Sequence, residues 1–167
     1  NSILRVIARL GKKKKIYGKD SFNKSRIDSY LDTCLVFAAL TQNYTLSLYS
    51  NKKISKQCID VAENAYTVFL NGIENSLKEN NKKYLVSNNL TIADICFFGE
   101  LSQFYFYETK AIKYLGKEKE GIFNKYKKKY KLSNALFCKL LSHKSFKKLK
   151  ASDLHEKVIF DTRGMLK

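Results

Sequence analysis

The sequence predicts an all-α protein folded as one helical bundle, and three observations carry that prediction. There is no proline and there are only 7 glycines among 167 residues, which excludes Pro-built turns and favours long helices over many short strands. Residues 27–38 and 54–77 place apolar side chains at helical spacing. A hydrophobic content of 44% at this length suits one compact domain with a sizeable core.

The chain opens at Asn1 in what already reads as the middle of a helix, as expected for part of a longer polypeptide. Ile3, Val6, Ile7 and Leu10 fall on one helix face and Gly11 follows as a stop. Four lysines, Lys12 to Lys15, then stand between Gly11 and Gly18, a composition for an exposed connector over residues 11–19. Asp20 or Ser21 caps a long second helix whose apolar stripe is Ile27, Leu31, Cys34, Leu35 and Ala38. Arg26, Tyr30, Thr33 and Phe37 recur beside that stripe as a mixed row that either lines a cleft or forms a second packing surface. Ile54, Cys58, Val61, Ala62, Ala65, Phe69, Ile73 and Leu77 give a third helix, ended by Asn80-Asn81-Lys82-Lys83. A short polar turn over 50–53 makes the two long helices an antiparallel pair.

Thr91-Ile92-Ala93-Asp94 forms an S/T-x-x-D capping box. The Thr91 hydroxyl is expected on the Asp94 backbone N–H, and the Asp94 carboxylate on the Thr91 N–H. Leu90 and Ile95 occupy the hydrophobic-staple positions around it. The helix over 92–107 is apolar almost all round through Ile95, Cys96, Phe97, Phe98 and Leu101, so it is central and buried. A buried helix start has no water for its free N–H groups, which is why it needs a side-chain cap.

The run Tyr84-Leu85-Val86-Ser87-Asn88-Asn89-Leu90-Thr91-Ile92-Ala93-Asp94-Ile95 resembles the aromatic-Leu, short loop, S/T-x-A-D-I signature of the glutathione transferase C-terminal domain. Asn1-Ser2-Ile3-Leu4-Arg5 with Ala8 resembles the helix that closes that family's thioredoxin-like domain. Residues 132–149, with Leu136-Phe137, Leu140-Leu141, His143 and Phe146, are similar to its later helix. The sequence departs from the pattern near Ser133 and Lys144, where relatives carry proline, and at Tyr30, where they often carry Trp.

The resemblance implies the last helix of a thioredoxin-like domain over 1–10, a linker over 11–19 and an all-helical domain over 20–167. It also implies that the catalytic and glutathione-holding residues lie upstream of Asn1. This chain is then expected to hold no catalytic residue and no cofactor, with glutathione bound only if the preceding domain is present. Leu85-Val86 and the Thr91–Ile95 box look closest to the branch on the gamma subunit of eukaryotic elongation factor 1 and on aminoacyl-tRNA synthetases. That branch implies a non-catalytic interaction domain partnered by elongation factor 1 subunits or synthetases, with homodimerisation as a family expectation. The alternative is a glutathione transferase in which Arg26, Tyr30, Thr33 and Phe37 line the electrophile pocket.

A net charge of +17 raises a nucleic acid or an acidic partner. Only Arg5, Arg9, Arg26 and Arg163 are arginines, against 28 lysines, the profile of an AT-rich genome, and bidentate phosphate readout favours Arg. The distribution is more telling: residues 110–150 hold 14 lysines and only Glu118 and Glu120 as acids. Tyr114, Phe123, Tyr126, Tyr130, Phe137 and Phe146 are interleaved there. Phe123, Tyr126 and Tyr130 share a helix face, which reads as a core stripe with Lys125, Lys127, Lys128 and Lys129 solvated. Weak tRNA contact is then a secondary property, and a tRNA-binding helical module is a further alternative.

Cys34, Cys58, Cys96 and Cys138 sit in apolar stretches without a CxxC pair, as buried reduced thiols of a cytoplasmic protein do. With only His143 and His155 beside them, a metal site is not expected. Asp153-Leu154-His155-Glu156 reads as a solvated helix end, and His143 as a helix C-terminal cap. No stretch is long and apolar enough to cross a membrane.

Overall fold

The computed structural model describes residues 1–11, 14–50, 52–80, 82–111 and 120–145. They form six α-helices: α1 (Ser2–Leu10), α2 (Ser21–Tyr49), α3 (Lys56–Asn80), α4 (Ile92–Ala111), α5 (Ile122–Tyr126) and α6 (Lys131–Leu141). A single 3-10 turn, Lys14–Tyr17, lies between α1 and α2. There are no strands among the described residues, in keeping with the all-α expectation. The Asp153–Glu156 motif, Tyr114 and Phe146 lie outside them.

The core is the layer where α2, α3 and α4 meet. Tyr30 reaches Ser76 while Phe37 stacks on Phe69 with centroids 4.3 Å apart, so α2 and α3 run antiparallel as expected. Phe37 and Tyr44 both stack on Phe104, at 5.5 and 5.6 Å, and Tyr66 meets the same ring at 5.1 Å. Aromatic pairs at these separations contribute about 0.5–1.5 kcal/mol each beyond the area they bury. Phe97 and Leu101 are fully buried, so α4 is the central helix that its all-round apolar sequence requires. Phe137 of α6 closes the far side against Phe98 and Phe123.

Three details differ from the periodicity. Phe37 belongs to the core, whereas Leu35 of the expected stripe is exposed, because the buried face of α2 steps by three or four residues through Ile27, Leu31, Cys34, Phe37, Thr41, Tyr44 and Leu48 and passes beside Leu35. Val61 on α3 is likewise exposed. The segment carrying Phe123, Tyr126 and Tyr130 is two helices broken at 127–130. Its aromatic residues nonetheless face inward, Phe123 and Tyr130 buried and Tyr126 half-buried.

Candidate functional site

Helix α1 is fastened to α2 through its polar side. The Asn1 amide donates to the Leu31 carbonyl, and Arg5 pairs with Asp28 at 2.6 Å and Asp32 at 3.1 Å. The Tyr17 hydroxyl donates to the same Asp28 carboxylate at 2.8 Å. Burial pushes the Asp28 carboxyl up, but the hydrogen bonds from Arg5 and Tyr17 outweigh it and hold the group below its ordinary range. With Leu4 and Ala8 turned inward, the opposite face is left open: Ile3, Ile7 and Leu10 are 75%, 62% and 81% exposed, and Val6 is exposed beside them. The apolar spacing that predicts α1 is therefore not the face by which it packs on this bundle.

The start of α4 is built around Asp94, which is wholly buried. Its Oδ2 accepts the Thr91 backbone N–H and the Thr91 hydroxyl, both at 2.8 Å, and its Oδ1 accepts the Leu85 N–H at 2.9 Å. The reach-back to Thr91 N–H is the expected half of the box. The hydroxyl differs: it donates to the Asp94 carboxylate rather than accepting from the Asp94 N–H. Asp94 thus ties the 84–91 loop to the helix as well as capping it. Burial pushes its carboxyl up, and the bonds from Leu85 and Thr91 offset part of that. Leu90 and Ile95 at the staple positions both pack against the core.

Two further carboxylates do comparable work at a distance. Helix α6 begins after Tyr130 and α5 after Gly121, and neither residue makes a side-chain cap. Glu74 of α3 supplies the first, accepting the N–H groups of Leu132 at 3.0 Å and Ser133 at 2.8 Å. Glu108 of α4 supplies the second, accepting the N–H groups of Ile122 at 2.8 Å and Phe123 at 2.9 Å, and the Tyr44 hydroxyl at 2.7 Å. An anion is favourable at a helix N-terminus on both hydrogen-bond and dipole grounds. Their depths set opposite ionisation: burial drives Glu108 up to about 7, whereas the bonds from Leu132 and Ser133 outweigh the burial of Glu74 and hold it low. Local sequence patterns do not reveal these residues. The available signal is an uncapped start before an apolar helix, which demands a carboxylate from elsewhere.

The row Arg26, Tyr30 and Thr33 does line a groove, shared with Val68, Gly72 and Ser76 of α3. It continues past Val36 and Leu40, with Phe37 in its lining although that ring is 2% exposed and counts as core. The Tyr30 hydroxyl is bonded to Ser76 Oγ, which Arg26 approaches at 3.4 Å. These polar groups brace α2 against α3.

The lysines of the α5–α6 turn divide into two kinds. Lys125 is paired with Glu63 at 2.7 Å. Lys127, Lys128 and Lys129 are exposed and form no ion pair among the described residues. His143, just past the end of α6, accepts the Ser145 N–H through Nδ1 at 3.3 Å. The described residues contain no His/Cys/Asp/Glu cluster able to hold a metal and no helix long and apolar enough to cross a membrane.

The sequence profile of the glutathione S-transferase C-terminal domain matches residues 37–130. Among solved structures the chain is similar to that of NaGST-2, with a TM-score of 0.60 and 19% identity over 88% of this chain and 64% of that one. It is also similar to a diazinon-metabolizing glutathione S-transferase in the silkworm, Bombyx mori, with a TM-score of 0.52 and 21% identity over 83% and 66%. At such identities the likeness shows the fold, and the chain spans 64% of the length of NaGST-2. No curated protein matches the chain. With more than half of its residues matched by one profile, the chain belongs to the glutathione S-transferase C-terminal domain family.

Proposed function

We propose that this chain is the helical part of a glutathione transferase-fold protein acting as a non-catalytic interaction domain, of the kind on the gamma subunit of eukaryotic elongation factor 1. The observation that carries the reading is the open apolar face of α1: Ile3, Val6, Ile7 and Leu10 stand exposed on a helix locked in place by Arg5, Asp28 and Asn1. A rigidly presented apolar stripe is a docking surface. A thioredoxin-like domain preceding Asn1 is its natural occupant, and glutathione would enter only through that domain. The described carboxylates at helix starts, Asp20, Glu74, Asp94 and Glu108, are engaged in capping, which suits a scaffold.

The finer assignment, to the cytoplasmic translation machinery, rests on the resemblance of Leu85-Val86 and Thr91-Ile92-Ala93-Asp94-Ile95 to that branch. Its partners are then other elongation factor 1 subunits or aminoacyl-tRNA synthetases. A homodimer would use the α2–α3 face, where Val36, Leu40 and Val68 are exposed beside the groove. The test is to purify the full-length protein from its own cells at moderate salt and identify what co-elutes. Stoichiometric exchange-factor subunits or synthetases are the expected result. A lone dimer retained on immobilised glutathione and turning over an aryl halide would replace this reading with the transferase one, in which Arg26, Tyr30 and Thr33 line the electrophile groove.

A further inference from the structure

Two of the four cysteines meet inside the bundle. Cys34 of α2 is 1% exposed and Cys96 of α4 is 8% exposed, both within the core where these helices pack. Cys58 is half-buried and Cys138 is exposed.

The two thiols form a short relay. Cys34 S–H donates to Cys96 Sγ, and Cys96 S–H donates to Asn1 Oδ1 at 3.5 Å. The other end of the Asn1 amide donates to the Leu31 carbonyl, one helical turn before Cys34. The Cys96 sulfur is therefore held against α2 at the level of Cys34 by two contacts, one direct and one through Asn1.

That relay makes the sulfurs unlike. The bond to Cys96, together with burial, pushes the Cys34 thiol up, so it keeps its proton. The bond from Cys34 outweighs burial at Cys96 and holds that thiol low, with Arg5 acting in the same sense. Glu100 stands one turn further along α4, and burial raises its carboxyl to about 7. An ionised Glu100 opposes a thiolate at either position, and the opposition disappears when it takes up the Cys96 proton.

We propose that Cys34 and Cys96 are a redox-modification site: hydrogen peroxide oxidises Cys96, and Cys34 resolves it to a disulfide that ties α2 to α4. The Cys96 thiolate sulfur attacks one peroxide oxygen, the O–O bond breaks, and the other oxygen leaves as hydroxide, which takes a proton to give water. The Cys34 sulfur then attacks the sulfenic sulfur of Cys96. The S–O bond breaks, and the hydroxyl departs with the Cys34 proton as a second water. The sulfurs give up two electrons and the peroxide takes them. Closure also removes the S–H donor from Asn1 Oδ1.

Three features select this chemistry. The less buried sulfur is also the better nucleophile, so attack begins at Cys96. The resolving thiol already faces it, so the sulfenic acid is consumed before a second peroxide arrives. Among the described residues the pair does not group with a further His, Cys, Asp or Glu as a metal site requires.

The inference stands independently of the elongation-factor reading and is tested on the full-length protein. The reduced protein is exposed to hydrogen peroxide under native conditions, quenched with N-ethylmaleimide and digested with trypsin. Cys34 and Cys96 fall in separate tryptic peptides, residues 27–52 and 84–110. The expected product is a linked pair of these peptides, lighter by the thiol hydrogens, which dithiothreitol returns to separate alkylated peptides. In Cys34→Ser the resolving thiol is gone, and Cys96 is expected to stay a sulfenic acid that dimedone captures. In Cys96→Ser, Cys34 is expected to remain reduced. Native protein whose Cys96 goes on to sulfinic acid while Cys34 stays free would overturn the proposal, as would a link that forms only in urea. Oxidation confined to the exposed Cys138 would count against it equally. Because the linked peptides are read in the native sequence, a serine variant that fails to fold leaves the test in place.

Discussion

Ser133 donates both its backbone N–H and its hydroxyl to one carboxylate oxygen of Glu74, each at 2.8 Å, across 59 residues of sequence. The bond makes α3 responsible for where α6 begins. Because α6 has no cap of its own at Tyr130, removing the carboxylate leaves the Leu132 and Ser133 N–H groups without their acceptor. Glu74→Ala should therefore destabilise the chain by about 2 kcal/mol, at the upper end for a lost cap. Glu74→Gln should cost less, since its amide oxygen serves one of the two N–H groups. Urea unfolding followed by circular dichroism measures both, and equal values for the two variants would show that the capping bond is not what matters.

The two distant caps limit stability from opposite sides of the pH scale. Glu74 is held below its ordinary range, so its contribution is present above the unfolded value, near 4.5, and is lost as the pH falls through the folded one. Glu108 is raised by burial to about 7, so its contribution is complete below the unfolded value and is lost as the pH rises through 7. A shift from 4.5 to about 7 corresponds to roughly 3 kcal/mol at most. The melting temperature is expected to fall between pH 5.5 and 8.5, with Glu108→Gln removing much of that fall. Glu100, also raised by burial to about 7, contributes in the same direction, so Glu100→Gln is the companion variant.

Gly121 and Gly72 make a contrasting pair. A Cβ on Gly121 would lie 2.2 Å from Glu108 Oε2 and 2.5 Å from its Cδ, whereas one on Gly72 meets nothing within 4 Å. Gly121 has φ of −69°, which any residue adopts, so the cost of Gly121→Ala is steric: the alanine must push the buried carboxylate off the α5 N-terminus. A loss of about 2 kcal/mol or more is expected, as for other overpacked sites. Gly72→Ala, within exposed helix, should stabilise by about 0.5–1 kcal/mol. Thermal melts of the two proteins should move in opposite directions.

What the sequence makes legible is what is local. The Thr91–Asp94 box lies within one helical turn, and α2 and α3 announce themselves through a repeat that needs only their own residues. Leu35 is assigned to the buried face and Phe37 left between a cleft and a packing surface because the expected stripe runs from Cys34 to Leu35 and Ala38, whereas the buried positions of α2 continue from Cys34 to Phe37, Thr41, Tyr44 and Leu48, and the local sequence does not distinguish the two paths. The caps at Glu74 and Glu108 are invisible for the same reason in stronger form: donor and acceptor lie 59 and 14 residues apart, and nothing in either segment specifies the other. The exposed stripe of α1 shows the converse. Its spacing is read correctly as a helix, while the side by which that helix packs is the polar one, fixed by Asp28, Leu31 and Asp32 more than twenty residues away.

Asp94 offers the most discriminating test of how the 84–91 loop is held. Its two oxygens have separate tasks, Oδ1 holding the Leu85 N–H and Oδ2 holding the Thr91 N–H and hydroxyl. Asparagine has the same shape but keeps one acceptor, so whichever way the amide turns, its NH2 group faces a buried N–H donor. Asp94→Asn should then cost nearly as much as Asp94→Ala, about 2–4 kcal/mol, because a buried donor left unsatisfied costs about 1–3 kcal/mol. Thr91→Val removes only the hydroxyl donor and should cost about 1 kcal/mol. Amide hydrogen exchange separates the two tasks. In Asp94→Asn one of the Leu85 and Thr91 amides is expected to exchange much faster while the other keeps its protection, whereas in Asp94→Ala both should accelerate. A chain whose melting temperature and exchange at these two amides are unchanged by Asp94→Ala would show that the carboxylate does not hold the loop, and that packing of Leu85, Val86 and Leu90 against the core is sufficient.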